Sequence, residues 1–162
     1  MGWVPTHNQG ERWLELKALS LTQPWASAIA LGLKHWETRS WPTSYRGEVC
    51  IHASKSFPRW AKDFAEGEGH DPKTLPLGRI VCVCDLTECR QTSTLAPTLS
   101  FQEISWGDFS PGRFAFRLEN VRVLPEPVFT RGALGFWSVG WDEELAVIRG
   151  LKLATPYAVP QS

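Results

Sequence analysis

Stretches that alternate apolar and polar residues with a period of two are interspersed along this chain with a few stripes of helical period. Their order never settles into a repeated strand–helix–strand unit. Strand patterning runs over residues 17–21, 35–40, 48–53, 79–86, 113–118 with a continuation at 121–124, and 134–139. It is clearest at 113–118, where Phe114, Phe116 and Leu118 share one face. Helical spacing is confined to 22–31, 57–66 and 142–149, with Thr22 placed to cap the first helix and Gly32 to end it. Five or six short strands with two or three flanking helices in that order imply an α+β domain built on a small antiparallel β-barrel.

The length of 162 residues fits one such domain, and 43% apolar with 21% charged residues is the balance of an ordinary globular protein. Residues 1–16 read as an irregular N-terminal arm, 17–140 as the domain, and 141–162 as a C-terminal helix and extended tail. No run of apolar residues is long enough to span a bilayer, and the first residues lack the basic-then-apolar order of a secretory signal. The expected location is the cytoplasm, away from membranes.

Seventeen basic residues balance seventeen acidic ones, which argues against a protein that holds polyanions by bulk charge. The balance is uneven along the chain. Residues 17–62 contain seven lysines and arginines against two glutamates, and residues 63–110 contain three basic against eight acidic residues. Such asymmetry either creates one attractive face or reflects solvated charges that cluster by chance.

Nine tryptophans are many for this length. Trp25, Trp36, Trp41, Trp60 and Trp106 lie within or near polar segments, where a flat indole can stack a base or simply fill the core. Cys82 and Cys84 sit in a strand with one residue between them, sharing a face with Ile80 and Leu86. A zinc knuckle wants two intervening residues and a turn, so these thiols, with Cys50 and Cys89, read as reduced, and neither metal nor cofactor is expected.

Chemistry concentrates between residues 19 and 55. Gly32 ends the first helix, Lys34 follows at the turn, and strand alternation then sends Glu37, Arg39 and Trp41 to one face and Trp36 and Thr38 to the other. Burying Glu37 and Arg39 without partners would cost several kcal/mol, so they either pair to order the strand or await a ligand. Gln23 and Ser54 can meet a base edge or satisfy backbone groups. Tyr45 and Arg46 can reach phosphate from their loop or form a solvated turn. His52, beside Ser54 and Lys55 at a strand end, is either a structural histidine or a base needing a third, orienting group.

The pattern Gly32, Lys34, Glu37 and Arg39 resembles the signature of the ASCH family, within the PUA-like superfamily. Residues 19–27, Trp41 with Tyr45 to Gly47, residues 51–55, 77–81 and 116–120 resemble further segments of that family, over about residues 17–140. The resemblance implies a PUA-like β-barrel with a cleft that accepts single-stranded RNA or a modified base or nucleotide. It places Lys34, Glu37 and Arg39 in that cleft. There Lys34 would offer a point charge to phosphate, Glu37 would accept from a base amino group, and Arg39 would hold Glu37 or donate to an oxygen. Gln23, Trp25, Trp41, Tyr45, Arg46, His52, Ser54 and Lys55 complete the candidate ligand-binding set.

A binding module is favoured. The alternative is a small hydrolase, a ribonuclease or an amidohydrolase of acylated cytosine, with Lys34 essential and Lys34 or Glu37 as the catalytic candidate. Relatives of the amidohydrolase kind carry threonine three residues after the lysine. This chain has Glu37 there, which argues against the same acyl hydrolysis. A metal-assisted nuclease would draw on Glu37, Asp85 or Glu103, though no dense acidic motif marks one.

Overall fold

The computed structural model describes residues 16–139 and Ile148. Within them, β1 (Leu16–Leu21) leads to α1 (Trp25–Ala30), β2 (Trp36–Arg39) and β3 (Gly47–Ala53). Next come α2 (Arg59–Gly67), a 3-10 turn (Pro72–Thr74) and β4 (Arg79–Gln91). After them α3 (Thr92–Leu95), a second 3-10 turn (Ala96–Thr98) and α4 (Phe101–Ser105) precede β5 (Phe114–Phe129) and β6 (Phe136–Val139). The strands form one sheet in the order β2-β5-β4-β3-β1-β6. Every pairing is antiparallel except β1 beside β3. The architecture is α+β, as the order of elements implies.

The expected barrel is not closed. β2 and β6 end the strand order, and among the described residues no ladder joins them. Each is only four residues long. β6 accompanies β1 from Leu16 to Leu19, which leaves Ser20 and Leu21 beyond its ladder. Across that gap Arg39, the last residue of β2, donates from Nη2 to the Ser20 carbonyl at 2.9 Å. One side chain thus spans what a closing ladder would otherwise fill, and the opening it leaves becomes the cleft described below.

Alternation in the strands supplies two apolar faces. Leu19, Leu21, Val49, Ile51 and Ala53 pack with Ala26 and Ile29 of α1 in one core. Leu16, Ala18, Cys50, Ile80, Val83 and Val139 form a second core on the opposite face. Gly32 ends α1 with φ +76°, where the Leu33 and Lys34 amides both donate to the Ala28 carbonyl; this left-handed turn is one a side chain would strain. Thr22 does not cap α1. The Gln23 side chain takes that place, its Oε1 accepting from the Ser27 amide at 3.0 Å.

Three expectations, two about the strands and one about the helices, need correction. Cys82, Cys84 and Leu86 share the first core, but Ile80 belongs to the second. Register shifts beside Ile80 insert an odd residue, and one extra residue sends the following side chains to the other face. Residues 79–91 and 114–129 are two long continuous strands rather than short ones. Between β4 and β5, where no helical spacing was expected, lie two short helices and a 3-10 turn, so four α-helices are described in place of two or three.

The arm at 1–16 (Leu16 apart) and the helix and tail at 141–162 (Ile148 apart) lie outside the described residues. Ile148 itself is helical and buried in the second core. None of the described helices is long and apolar enough to cross a membrane.

Candidate functional site

Two hollows meet at the open end of the sheet and share Ser20, Thr22 and Arg39 in their walls. One lobe, called polar for its hydroxyls and cations although apolar atoms such as those of Phe129, Ala133 and Leu134 make up most of its wall, encloses about 750 Å³ over the C-terminal ends of β1 and β3. His52, Ser54, Lys55 and Ser56 line one side of it, and the segment from Phe129 to Gly135 lines the other. The aromatic lobe, about 600 Å³, runs between β2, α1, α2 and the turn after α4. Its walls include Trp25, Trp60, Phe64 and Trp106, with Lys34, Glu37, Asp108 and Arg113.

Arg39 stands at the junction. Its Nε donates to Glu37 Oε2 at 2.9 Å, its Nη2 to the Ser20 carbonyl, and its guanidinium lies over the Trp41 ring, 6.0 Å from the centroid. Of the two alternatives for Glu37 and Arg39, pairing is the one observed, and the guanidinium stands at the meeting point of both lobes.

Lys34 plays another part than that of a phosphate hand. Only 1% exposed, its ammonium donates to the carbonyls of Trp36 at 2.7 Å and Trp106 at 2.8 Å and pairs with Glu37 Oε1 at 3.4 Å. An ammonium has three protons, and all three are used. Burial lowers its pKa from the ordinary lysine value, against the pull of Glu37 and Glu103. Lys34 binds β2 to the turn after α4 and forms the floor of the aromatic lobe.

Glu103 on α4 is a second buried anchor, whereas its sequence context offers it only as a candidate for metal-assisted chemistry. Its carboxylate accepts from the His35 amide at 2.9 Å, the Trp36 amide at 3.1 Å and His35 Nδ1 at 2.8 Å. These bonds pin the chain just before β2. The signal available was Ser100, three residues ahead of Glu103: its hydroxyl accepts from the Glu103 amide and caps α4.

The candidate residues divide by geometry. Trp25, Lys34, Glu37 and Arg39 come together in the aromatic lobe, and Arg39, His52, Ser54 and Lys55 in the polar lobe. Gln23 is fully buried and donates to Ser27 Oγ and the Pro76 carbonyl, holding the α1 entry to the loop before β4. Trp41 turns into the core, with its ring centroid 5.3 Å from that of Phe116 and 5.5 Å from that of Phe136. Tyr45 donates its hydroxyl to the Glu48 carbonyl at 2.6 Å, and Arg46 bonds the carbonyls of Thr43 and Tyr45 in its own loop. These last three line neither lobe because the chain leaves the β2 ladder at Arg39, after which strand alternation no longer sets direction. Trp60, Phe64, Trp106, Thr130 and Arg131 line the cleft although they lie outside the candidate set. Helical spacing marks Trp60 and Phe64 as one stripe, but their facing of Trp25 is a tertiary fact: ring centroids lie 5.6 and 4.9 Å away.

His52 is buried, with Nδ1 2.9 Å from Ser20 Oγ and Nε2 2.8 Å from the Thr130 carbonyl. A carbonyl only accepts, so Nε2 carries the proton and Nδ1 accepts from the Ser20 hydroxyl. Burial, opposed by the Thr130 carbonyl, holds its pKa below the ordinary 6.5. As pH falls below 6.5, unfolded chains take up this proton before folded ones do, so the histidine's contribution to stability shrinks on acidification and is constant above that value. The thermal midpoint of wild type should therefore drop toward that of His52→Gln between pH 7 and pH 5. A gap that stays constant or widens would contradict the assignment.

Known proteins resemble this chain in sequence and in fold. A family model, the ASCH domain, matches residues 19–126. Activating signal cointegrator 1 of Homo sapiens is 30% identical over 120 residues, which are 68% of this chain; the chain spans about a fifth of that protein's length, 20%. The fold is similar to the crystal structure of ASCH from Zymomonas mobilis, with a TM-score of 0.53 and 17% identity over 83% of this chain and 94% of that one. A tyrosine-to-phenylalanine variant of that protein gives a TM-score of 0.51 and 16% identity, over 85% of this chain and 96% of the other.

Proposed function

The chain belongs to the ASCH domain family, and from that premise we propose that its two-lobed cleft binds single-stranded RNA or a modified base or nucleotide. The observation that carries this reading is the division of labour on either side of Arg39. Stacked indole and phenyl rings line one lobe, and hydroxyls with the cations Lys55 and Arg131 line the other. A nucleotide offers a partner to each set of groups, a flat base for the rings and a hydroxylated anionic backbone for the cations and hydroxyls, while Phe129 and Leu134 in the second lobe add apolar contact. Unstacked bases stack on aromatic side chains, each contact contributing about 1–3 kcal/mol, whereas a duplex keeps its bases inside. Glu37 and Asp108 give the aromatic lobe acceptors for a base amino group.

Trp60 offers the cleanest test because it is 63% exposed, so its removal leaves little of the core disturbed. Titrating a fluorescently labelled single-stranded RNA by anisotropy should show Trp60→Ala raising Kd roughly 5- to 100-fold. Its thermal midpoint should stay within about 2 °C of wild type, less than ~1 kcal/mol for a chain of this size. Arg46→Ala, at a residue that lines neither lobe, should bind as wild type. Equal affinity in wild type and Trp60→Ala would remove the aromatic lobe from the binding reading.

A further inference from the structure

Ser20 and His52 face each other because β1 and β3 run parallel in a register that sets Ser20 opposite His52. Both residues line the polar lobe. The hydrogen-bond chain between them has the order a nucleophilic hydroxyl requires: Ser20 Oγ–H to His52 Nδ1 at 2.9 Å, and His52 Nε2–H to the Thr130 carbonyl at 2.8 Å. The carbonyl is the third, orienting group that sequence spacing could not reveal. It fixes the ring and its tautomer, leaving the nitrogen next to the hydroxyl free to take a proton. The Trp137 indole N–H donates to the same Ser20 oxygen at 3.1 Å and so helps fix the direction in which the hydroxyl points its proton at Nδ1. Arg39, bonded to the carbonyl of Ser20, brings a cation to the same residue. The covering loop is fitted to this pair. A Cβ on Gly132 would stand 2.6 Å from His52 Cε1 and 2.7 Å from Ser20 Oγ, so only glycine lets the backbone lie over the dyad.

We propose that Ser20 and His52, oriented by the Thr130 carbonyl, form a catalytic dyad that hydrolyses carboxylic esters whose alcohol carries a phosphate. The phosphate preference rests on the assignment of the polar lobe, with Lys55 and Arg131, to the anionic part of a nucleotide; the dyad itself does not. Ser20 Oγ bonds to the acyl carbon while its proton passes to His52 Nδ1. That proton then goes to the departing alcohol oxygen as the ester C–O bond breaks, leaving an acyl-serine. Water attacks the acyl carbon, gives one proton to His52 Nδ1, and releases the carboxylic acid as the proton returns to Ser20 Oγ. Lys34 takes no part, since its protons are committed elsewhere.

The test begins with the wild-type protein and a fluorophosphonate, on which serine attack expels fluoride and leaves a stable adduct. Peptide mass spectrometry should find the adduct on Ser20, and labelling of His52→Gln should be at least tenfold slower. Hydrolysis of 1-acetylglycerol 3-phosphate should exceed that of 1-acetylglycerol at least tenfold in kcat/KM and vanish in Ser20→Ala. No adduct on wild-type Ser20, or equal labelling of His52→Gln, overturns the dyad, whether or not Ser20→Ala folds. An adduct with no preference between the two acetyl esters overturns the phosphate-bearing substrate class. Parallel RNA titration of wild type separates the two proposals, since an unlabelled protein that still binds RNA refutes the dyad alone, and a labelled protein that binds none refutes the nucleotide reading alone.

Discussion

Replacing Lys34 by methionine should lower the thermal midpoint by roughly 6–12 °C, the equivalent of about 3 kcal/mol in a chain of this length. The aliphatic stem is preserved, so the loss isolates the ammonium. Without it the carbonyls of Trp36 and Trp106 are buried with one fewer donor, and Glu37 keeps only Arg39. Removing one partner from such a buried network costs far more than removing a surface charge. Differential scanning calorimetry reads the result directly. Had the ammonium been a surface contact for phosphate, the midpoint would hold while RNA affinity fell; that outcome would restore the simpler role its sequence motif implies.

Arg39→Ala should have the largest effect on binding, raising Kd for single-stranded RNA about 10- to 100-fold, since hydrogen bonds to a charged group contribute about 1.5–3 kcal/mol each. Its position explains the size of the effect, because the one guanidinium is shared by both lobes. Electrostatics adds a second readout. With Arg39, Lys55 and Arg131 acting on phosphates, log K should fall with log salt at a slope of about −2, and Arg39→Ala should flatten it by about 0.7. Arg39→Lys should recover the salt slope but only part of the affinity, because an ammonium cannot reproduce the fork that holds Glu37 and the Ser20 carbonyl together. An unchanged slope in Arg39→Ala would place phosphate elsewhere.

That Glu37 and Arg39 share a face was legible in the chain because residues two apart on a strand point the same way, and the structure decided between the two alternatives by pairing them. The α1 stop at Gly32 was legible for a similar reason, since a single backbone conformation there favours one residue type. Trp41 shows where such reasoning ends. It lies two residues beyond Arg39 and would continue the same face, yet the ladder has stopped and the ring folds onto Phe116 and Phe136 instead. Lys34 shows a second limit, because its two carbonyl partners lie 2 and 72 residues away and only the nearer is accessible to local argument.

Periodicity, turn chemistry and the short motif around Lys34 were enough to establish the α+β class, the first helix and its end, and most strand positions, because each depends on neighbours within a few residues. The open edge between β2 and β6, the burial of Lys34, the facing of Trp25 by α2 and the contact of Ser20 with His52 were decided only in three dimensions. Each rests on strand register or on contacts between distant segments, and register shifts like those beside Ile80 leave no mark in local alternation.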